Sequence, residues 1–131
     1  MDEQNEKTHQ RLSIADLEAL CFDSLTRLQA QAHQAKPLAR RIARAEAEGD
    51  QNAGMRYLLR CLEDLTLGRV DGAALPVLQH QNGVHLRCDI AHGFLPAAID
   101  HALPRFLDVV DAQGAGFLGL CNGHSTAFMA Q

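Results

Sequence analysis

The chain has 131 residues, 47% of them hydrophobic and 5% aromatic, and its formal net charge at pH 7 is −4. These values predict one domain with an aliphatic core, and the absence of a basic stripe excludes nucleic acid as the main partner. No apolar run reaches the roughly 18 residues of a membrane helix, and the polar N-terminus contains no signal peptide. We therefore expect a cytoplasmic protein that does not bind membranes and whose four cysteines are reduced.

The first part of the chain is predicted to be a helical layer. Residues 1–10 are expected to be a disordered tail, and the single domain that follows spans 11–131. Ser13 begins an S-x-x-D capping box, which predicts a helix over residues 13–31. The helical layer as a whole is expected to span residues 11–69.

Two further helices complete this layer. Pro37 suits the first turn of a helix because its missing N–H is unpaired there anyway, and Gly49 ends that helix. Asp50 or Asn52 is the predicted cap of the third helix, and Gly68 is its stop. Helical spacing predicts the following inward-pointing residues on the third helix: Met55, Leu58, Leu59, Leu62 and Leu65.

Residues 70–125 are predicted to form a sheet with a crossover helix. Asn82-Gly83 separates two short strand-like segments, 77–81 and 84–88, which predicts a β-hairpin with a type I′ turn. The pattern then changes to a helix over residues 95–113.

The crossover helix and the last strand carry three specific expectations. Pro104 lies inside the helix and is expected to kink it or divide it in two. Residues 117–121 are almost all apolar, which predicts a strand covered on both faces, and 126–131 form a tail. The fold class is therefore α+β or α/β, with a β-hairpin and a strand–helix–strand unit after the helices. The predicted apolar stripe of the crossover helix comprises Ile99, Leu103, Phe106, Leu107 and Val110.

Three segments, 42–49, 62–70 and 89–122, resemble the N-terminal part of the malate/L-lactate dehydrogenase family. This family includes sulfolactate and ureidoglycolate dehydrogenases and piperideine-2-carboxylate reductases, and the resemblance covers about residues 12–125. It implies a partial sulfolactate-dehydrogenase-like fold, NAD or NADP as the cofactor, hydride transfer with a 2-hydroxy or 2-imino acid, and a dimer. Because family members are considerably longer, it also implies a truncated relative.

The first family motif is degenerate in this chain. A hydride-transfer site needs a proton donor and a cation for the substrate carboxylate, and Ala53 supplies neither. Arg56, one place from the motif arginine, is the candidate substrate-binding residue. The alternative is that Arg56 and Tyr57 lie on the exposed side of the helix. The Ser-His-Gly motif, with its later Arg and Tyr, falls on Asn52, Ala53, Gly54, Tyr57 and Cys61.

The second family motif reads Asn-Ser-x-His-x-Gly. Asn122 matches its asparagine, whereas His124 is displaced by one residue. The resemblance implies that Asn122, His124 and Ser125 contact the cofactor or the substrate. The alternative is a plain turn, in which Asn122 makes local hydrogen bonds and His124 is solvated.

A group of imidazoles and a thiol near the hairpin suggests zinc, which binds both ligand types. However, the hairpin places His85 and Cys88 on opposite faces, and the spacing matches no standard zinc pattern. We therefore predict no metal site. The group comprises His80, His85, Cys88 and His92.

Two functions stay open. The chain is either a catalytically impaired relative of an NAD(P)-dependent dehydrogenase, with cofactor binding expected to be lost, or a non-catalytic dimerising or binding module. The first function needs a partner chain that completes the fold. Both are compatible with a homo-oligomer, because the apolar strand 117–121 lies close to the end of this sequence and exposes a sheet edge.

Overall fold

The computed structural model describes residues 10–124. The described residues form an α+β fold in which three helices precede a β-hairpin and a strand–helix–strand unit, as the sequence predicts. Most of the predicted tails, and Ser125, lie outside the described residues. Within these residues, no helix is long and apolar enough to cross a bilayer. The elements are α1 (Ile14–Arg27), α2 (Ala32–Ala47), α3 (Met55–Thr66), β1 (Val77–Asn82), β2 (His85–Asp89), α4 (Leu95–Gln113) and β3 (Phe117–Cys121).

The first helix begins where the capping box predicts. Ser13 is the N-cap, and its hydroxyl oxygen accepts a hydrogen bond from the N–H of Asp16 at 3.0 Å. The hydroxyl also donates to the Asp16 carboxylate at 2.7 Å. α1 ends at Arg27, earlier than predicted, because Gln29 has a left-handed φ of 70° that a helix cannot accommodate.

The second helix begins before Pro37, so the prediction of its start was wrong. The carbonyl of Gln31, the N-cap, accepts hydrogen bonds from the N–H groups of Gln34 at 3.0 Å and Ala35 at 2.9 Å. This turn starts the helix at Ala32 and places Pro37, which is buried, in the helix interior. The helix therefore forgoes one main-chain hydrogen bond there, because proline has no N–H.

The third helix is capped at Gly54 rather than at Asp50 or Asn52. Asp50 instead holds the preceding turn, because its carboxylate accepts from the N–H groups of Asn52 and Ala53, both at 3.2 Å. Leu59 is 66% exposed, so its inward prediction was wrong. The buried face of α3 comprises Tyr57, Leu58, Cys61 and Asp64.

The hairpin forms, but its turn is not type I′. β1 and β2 pair antiparallel, with a register shift between His80 and Asn82. Because Asn82 pairs with His85, the turn is centred on Gly83 and Val84, and β-branched Val84 resists a positive φ. Neither Asn82 nor Gly83 has a positive φ, whereas a type I′ turn needs two.

The crossover unit is confirmed. β2 and β3 are parallel neighbours, in the sheet order β1-β2-β3, and α4 connects them. Pro104 lies within one uninterrupted helix, so the predicted division of this helix was wrong. Gly114 caps its C-terminus with a left-handed φ of 78°.

The apolar stripe of α4 was predicted only in part. Leu103 and Leu107 are 41% and 49% exposed, and α4 packs instead on a second core through Ala98 and Ala102. Small side chains allow the helix backbone to approach the sheet closely, so alanines rather than leucines lie innermost. β3 is not covered on both faces either, because Phe117 is 61% exposed.

Gln34 joins the helical layer to the sheet unit. Its side chain is fully buried, and its Nε2 donates to the carbonyl of Ala74 at 2.7 Å. Its Oε1 accepts from the N–H of Phe94 at 2.8 Å. A Cβ at Gly93 would lie 2.8 Å from this amide, so glycine is required for the close approach. The hydrogen bonds of Gln34, which we call the junction, fix the loop after β2 against α2.

Candidate functional site

The ends of the two parallel strands form the candidate site, which we call the carboxyl edge and define as residues 89–94 and 121–124. The N–H of Ile90 donates to the carbonyl of Cys121 at 2.9 Å. Further along, the N–H of His92 donates to the Asn122 carbonyl at 2.8 Å. Ligands of parallel sheets bind beyond the carboxyl ends of strands, so this edge is where a site is expected.

Asp89 and Asn122 face each other across this edge. The Asn122 amide donates to both carboxylate oxygens of Asp89, at 3.2 and 3.3 Å, and the N–H of Ala91 donates to one of them at 2.8 Å. The bond from Ala91, followed by that from Asn122, holds the pKa of Asp89 below its usual value. Asn122 therefore lies at the carboxyl edge, where its side-chain amide orients the carboxylate of Asp89.

The backbone of the carboxyl edge is strained. Ala91, His92 and Asn122 have left-handed φ values of 55°, 64° and 54°. Side chains other than glycine rarely adopt this conformation, and such residues concentrate at functional sites. The strain supports a functional role for this edge.

His124 lies within hydrogen-bonding distance of Asp64 on α3. The distance from Nε2 of His124 to Oδ2 of Asp64 is 2.6 Å, and the side chains are only 8% and 7% exposed. The His124 ring also meets the Phe94 ring edge-on, with centroids 5.3 Å apart. His124 is therefore buried, and the alternative of a solvated histidine was wrong.

Asp64 is a buried carboxylate surrounded by cations. Nη1 of Arg69 lies 3.3 Å from its Oδ1, and Nε of Arg60 lies 4.0 Å from its Oδ2. The hydrogen bond from His124 is the main reason that the pKa of Asp64 is lowered. Burial opposes this effect, and Arg69 adds to it. Asp64 is thus an ionised acceptor for the Nε2–H of His124.

The second ring nitrogen of His124 is the chemically distinctive atom of the site. Nδ1 is buried and has no hydrogen-bond partner among residues 10–124. A buried polar atom without a partner is rare and needs an explanation. With Nε2 donating to Asp64, Nδ1 can accept a hydrogen bond from a ligand.

The positions of the first family motif lie at the other end of α3. Ala53 is only 2% exposed, so its methyl group is part of the core and no proton donor occupies that position. Asn52 is exposed. Glu46 of α2 accepts from the N–H of Met55 at 2.9 Å, and its carboxylate occupies the space that a side chain at Gly54 would need. The matching glycine is therefore explained by packing against α2.

Arg56 and Tyr57 separate on the two sides of the helix. Arg56 is exposed, whereas Tyr57 is 4% exposed, so the expectation that both lie on the surface was wrong for Tyr57. Burial raises the pKa of the neighbouring Cys61 to about 12, although a hydrogen bond with Tyr57 lowers it in part. Arg56 lies about 12 Å along the helix axis from Asp64, because each residue rises 1.5 Å. The structure therefore brings Asn122 and His124 to one edge and leaves Arg56 apart.

The hairpin group does not converge on one point. His85 is exposed and Cys88 is fully buried, on opposite faces of β2. Residues 10–124 contain no group of three or more His, Cys, Asp or Glu side chains that could hold a metal ion.

Asp64 is the site residue that the sequence reading missed. It follows Cys61 by three positions and therefore falls on the buried face of α3. A carboxylate on an otherwise apolar helical face is the signal that could have identified it, since buried charges need partners. Its partner His124 is 60 positions away and cannot be identified from local spacing.

Comparisons with known proteins agree on one family. The model of the malate/L-lactate dehydrogenase family matches residues 12–131. A Δ1-pyrroline-2-carboxylate reductase from Ancylobacter novellus is 31% identical over 110 residues, which cover 84% of this chain and 32% of that protein. A Δ1-pyrroline-2-carboxylate/Δ1-piperideine-2-carboxylate reductase from Pseudomonas syringae pv. tomato is 29% identical, over 69% of this chain and 26% of that protein.

Solved structures show the same relationship. A Δ1-piperideine-2-carboxylate reductase from Pseudomonas syringae superposes with a TM-score of 0.86 and 26% identity, over 88% of this chain and 35% of that one. A sulfolactate dehydrogenase from Methanocaldococcus jannaschii superposes with a TM-score of 0.78 and 17% identity, over 86% of this chain and 33% of that one. At this identity the second likeness shows the fold alone. The chain spans about a third of the length of these relatives.

Proposed function

This chain belongs to the malate/L-lactate dehydrogenase family, and we propose that it supplies the helical layer and the substrate-side edge of an NAD(P)-dependent oxidoreductase acting on 2-hydroxy or 2-imino acids. The family match over residues 12–131 carries this proposal. The superposition on Δ1-piperideine-2-carboxylate reductase supports it, because it covers 88% of this chain with a TM-score of 0.86.

Within this proposal, Asn122 and His124 of the carboxyl edge contact the substrate and the nicotinamide, together with Ser125, which follows them in the sequence. NADH or NADPH, when bound, supplies the hydride. His124 is suited to hold or give up a proton at Nδ1, because Asp64 fixes its Nε2 at 2.6 Å. Arg56 is an exposed cation that can attract the substrate carboxylate without a fixed bond to it.

We further propose that the chain by itself is catalytically impaired. Where the family motif has a histidine, the buried methyl group of Ala53 offers no proton. Where the motif has an arginine, Tyr57 is buried and cannot pair with a carboxylate as a cation does. The chain also spans only about a third of the length of its relatives.

A cofactor titration tests this proposal. NADH and NADPH are titrated into the purified chain, with nicotinamide fluorescence and calorimetry as readouts and the full-length Pseudomonas syringae reductase as the positive control. We expect no saturable binding to this chain at millimolar cofactor. Co-expression with the part of that reductase lying beyond the matched segment should restore binding. Saturable binding by the chain alone would contradict the proposed impairment, and failed complementation would contradict the proposed role.

A non-catalytic dimerising module is the second candidate. The observation that favours it is the apolar outer strand of the sheet, where Phe117 is 61% exposed. Dimerisation through this strand does not use the carboxyl edge. A variant that lacks the His124 ring would therefore still dimerise.

A further inference from the structure

His124 is held in place through both its ring and its backbone. Its Nε2 lies 2.6 Å from Oδ2 of Asp64, and its ring plane makes an angle of 83° with that of Phe94. The main-chain N–H of His124 donates to the Gly93 carbonyl at 3.1 Å, which fixes the backbone from which the ring extends. A ring flip would move Nε2 away from Asp64, so these contacts select one orientation of the imidazole.

The Asp64 carboxylate is oriented by a residue other than His124. Nη1 of Arg69 donates to its Oδ1 at 3.3 Å, so its Oδ2 remains for Nε2 of His124. The main-chain N–H of Arg69 also donates to the Asp64 carbonyl at 2.9 Å, which keeps this arginine beside the carboxylate. The Arg69 side chain is 63% exposed, whereas that of Asp64 is 7% exposed. Asp64 therefore presents one oxygen to an exposed guanidinium and the other to a buried imidazole.

These contacts determine which nitrogen of His124 carries the proton. An ionised carboxylate only accepts hydrogen bonds, so Nε2 is the donor. The guanidinium groups of Arg60 and Arg69 lie within 4.0 Å of the carboxylate and match its single negative charge. A further charge on the imidazole, which is 8% exposed, would be costly to bury. His124 is therefore neutral, with its proton on Nε2 and a lone pair on Nδ1.

The lone pair of Nδ1 distinguishes between classes of ligand. Nδ1 is buried and has no hydrogen-bond partner among residues 10–124. It attracts N–H and O–H groups and repels carbonyl and carboxylate oxygens. A 2-hydroxy acid carries an O–H at C2, and a protonated 2-imino acid carries an N–H on that carbon, whereas a 2-oxo acid has only an acceptor there. A buried polar atom that is left unpaired penalises the ligand that cannot satisfy it.

We propose that Asp64 is a positioning residue that fixes the tautomer of His124, so that the carboxyl edge selects 2-hydroxy acids and protonated 2-imino acids over 2-oxo acids. The presence of such an acid at this edge rests on the proposed function. The tautomer does not, because it follows from contacts within the chain and needs neither cofactor nor substrate.

Long-range proton–nitrogen NMR spectra of the imidazole groups test the tautomer in the unaltered chain. We expect a protonated Nε2 and an unprotonated Nδ1 at His124, with H124Q identifying the resonances. D64N should reverse this pattern, because Arg69 would retain the amide oxygen, the amide nitrogen would donate to Nε2, and the ring proton would move to Nδ1. E63Q removes a charge from an exposed neighbour on the same helix and should leave both resonances unchanged. A purely structural role of Asp64 would lower stability without reversing the tautomer.

L-lactate and pyruvate, which differ only at C2, test the selectivity. Added in large excess to the unaltered chain, lactate should shift the Nδ1 resonance of His124 and bind at least about tenfold more tightly than pyruvate. D64N should show the opposite preference. A protonated Nδ1 in the unaltered chain, or an unchanged tautomer in folded D64N, would overturn the role of Asp64. Equal shifts with both acids, or none with either, would overturn the selectivity, whereas the cofactor titration decides the proposed function separately.

Discussion

The helical layer and the sheet unit bury their apolar residues to different extents. Core residues of the helical layer, such as Cys21, Leu38 and Ile42, are 0% exposed. In the sheet unit only the face beneath α4 is covered, and Val77 and Phe117 on the other face are 50% and 61% exposed. The helical layer therefore encloses a core between its own helices, although Leu59 on its surface is 66% exposed, whereas the sheet unit packs on one face and leaves the other face open.

The largest expected effect is at the junction between these two regions. Q34L should destabilise the chain by about 2–3 kcal/mol, because the buried N–H of Phe94 would lose its acceptor. The Ala74 carbonyl would keep His33 as a neighbour, at 2.7 Å. Urea unfolding measures the change. Q113L, at the exposed end of α4, is the control and should stay within about 0.5 kcal/mol. Equal effects of both variants would show that Gln34 does not join the two regions.

Two glycines compare the packed junction with the open face directly. G93A should cost about 1–3 kcal/mol, because its Cβ would lie 2.7 Å from that of Ala74 and 2.8 Å from the Gln34 amide. G119A should change the free energy of unfolding by less than about 0.5 kcal/mol, since its Cβ meets only ordinary contact distances. Thermal unfolding of dilute protein measures both. A reversed order would contradict the described packing.

The Asp64–His124 contact ties the helical layer to the carboxyl edge. D64N should cost about 1–2 kcal/mol at pH 7, because the His124 ring loses a charged acceptor. E63Q, on an exposed neighbour, is the control. Because the folded pKa of Asp64 is lowered, the unfolded chain binds the proton more readily, so the contribution of Asp64 is present above about pH 5 and is lost as pH falls through the folded pKa. Unfolding curves of D64N should therefore show a weaker loss of stability in acid; an unchanged loss would contradict this assignment.

Thiol labelling gives the smallest expected effect. Burial raises the pKa of Cys21 to about 11 and that of Cys61 to about 12, and it also raises the pKa of Cys88. Cys121 is half-buried on the open face, with its Sγ 3.4 Å from Nε of Arg87. Iodoacetamide followed by mass spectrometry should label Cys121 first. C121S should remove the fast phase, and fast labelling of Cys61 would contradict the closed packing of the helical layer.

The sequence predicted features that depend on neighbouring residues. Ser13 caps α1 as its spacing requires, and Gly49 and Gly68 adopt the left-handed φ of helix ends. The family resemblance was confirmed as well, because the family model matches residues 12–131. The resemblance could be recognised from the sequence since it rests on a diffuse pattern over many positions. Features of this kind follow from local spacing and backbone preferences.

Features that depend on distant partners were not predictable in the same way. Pro37 lies inside α2 because the turn at Gln31, held by the Gly72 carbonyl at 2.8 Å, starts the helix earlier. Leu103 was expected to be buried, but alanines make the close contacts of α4. The pairing of His124 with Asp64 spans 60 positions, so only the folded chain shows it.

Amide hydrogen exchange of β3 tests the central claim most directly, because it reads the covered and the free side of one strand residue by residue. The amides of Phe117 and Gly119 should be protected by hydrogen bonds to β2, whereas those of Leu118 and Leu120, which point away from β2, should exchange rapidly. Equal protection of all four amides would contradict the position of β3 as an outer strand of the sheet formed by residues 10–124.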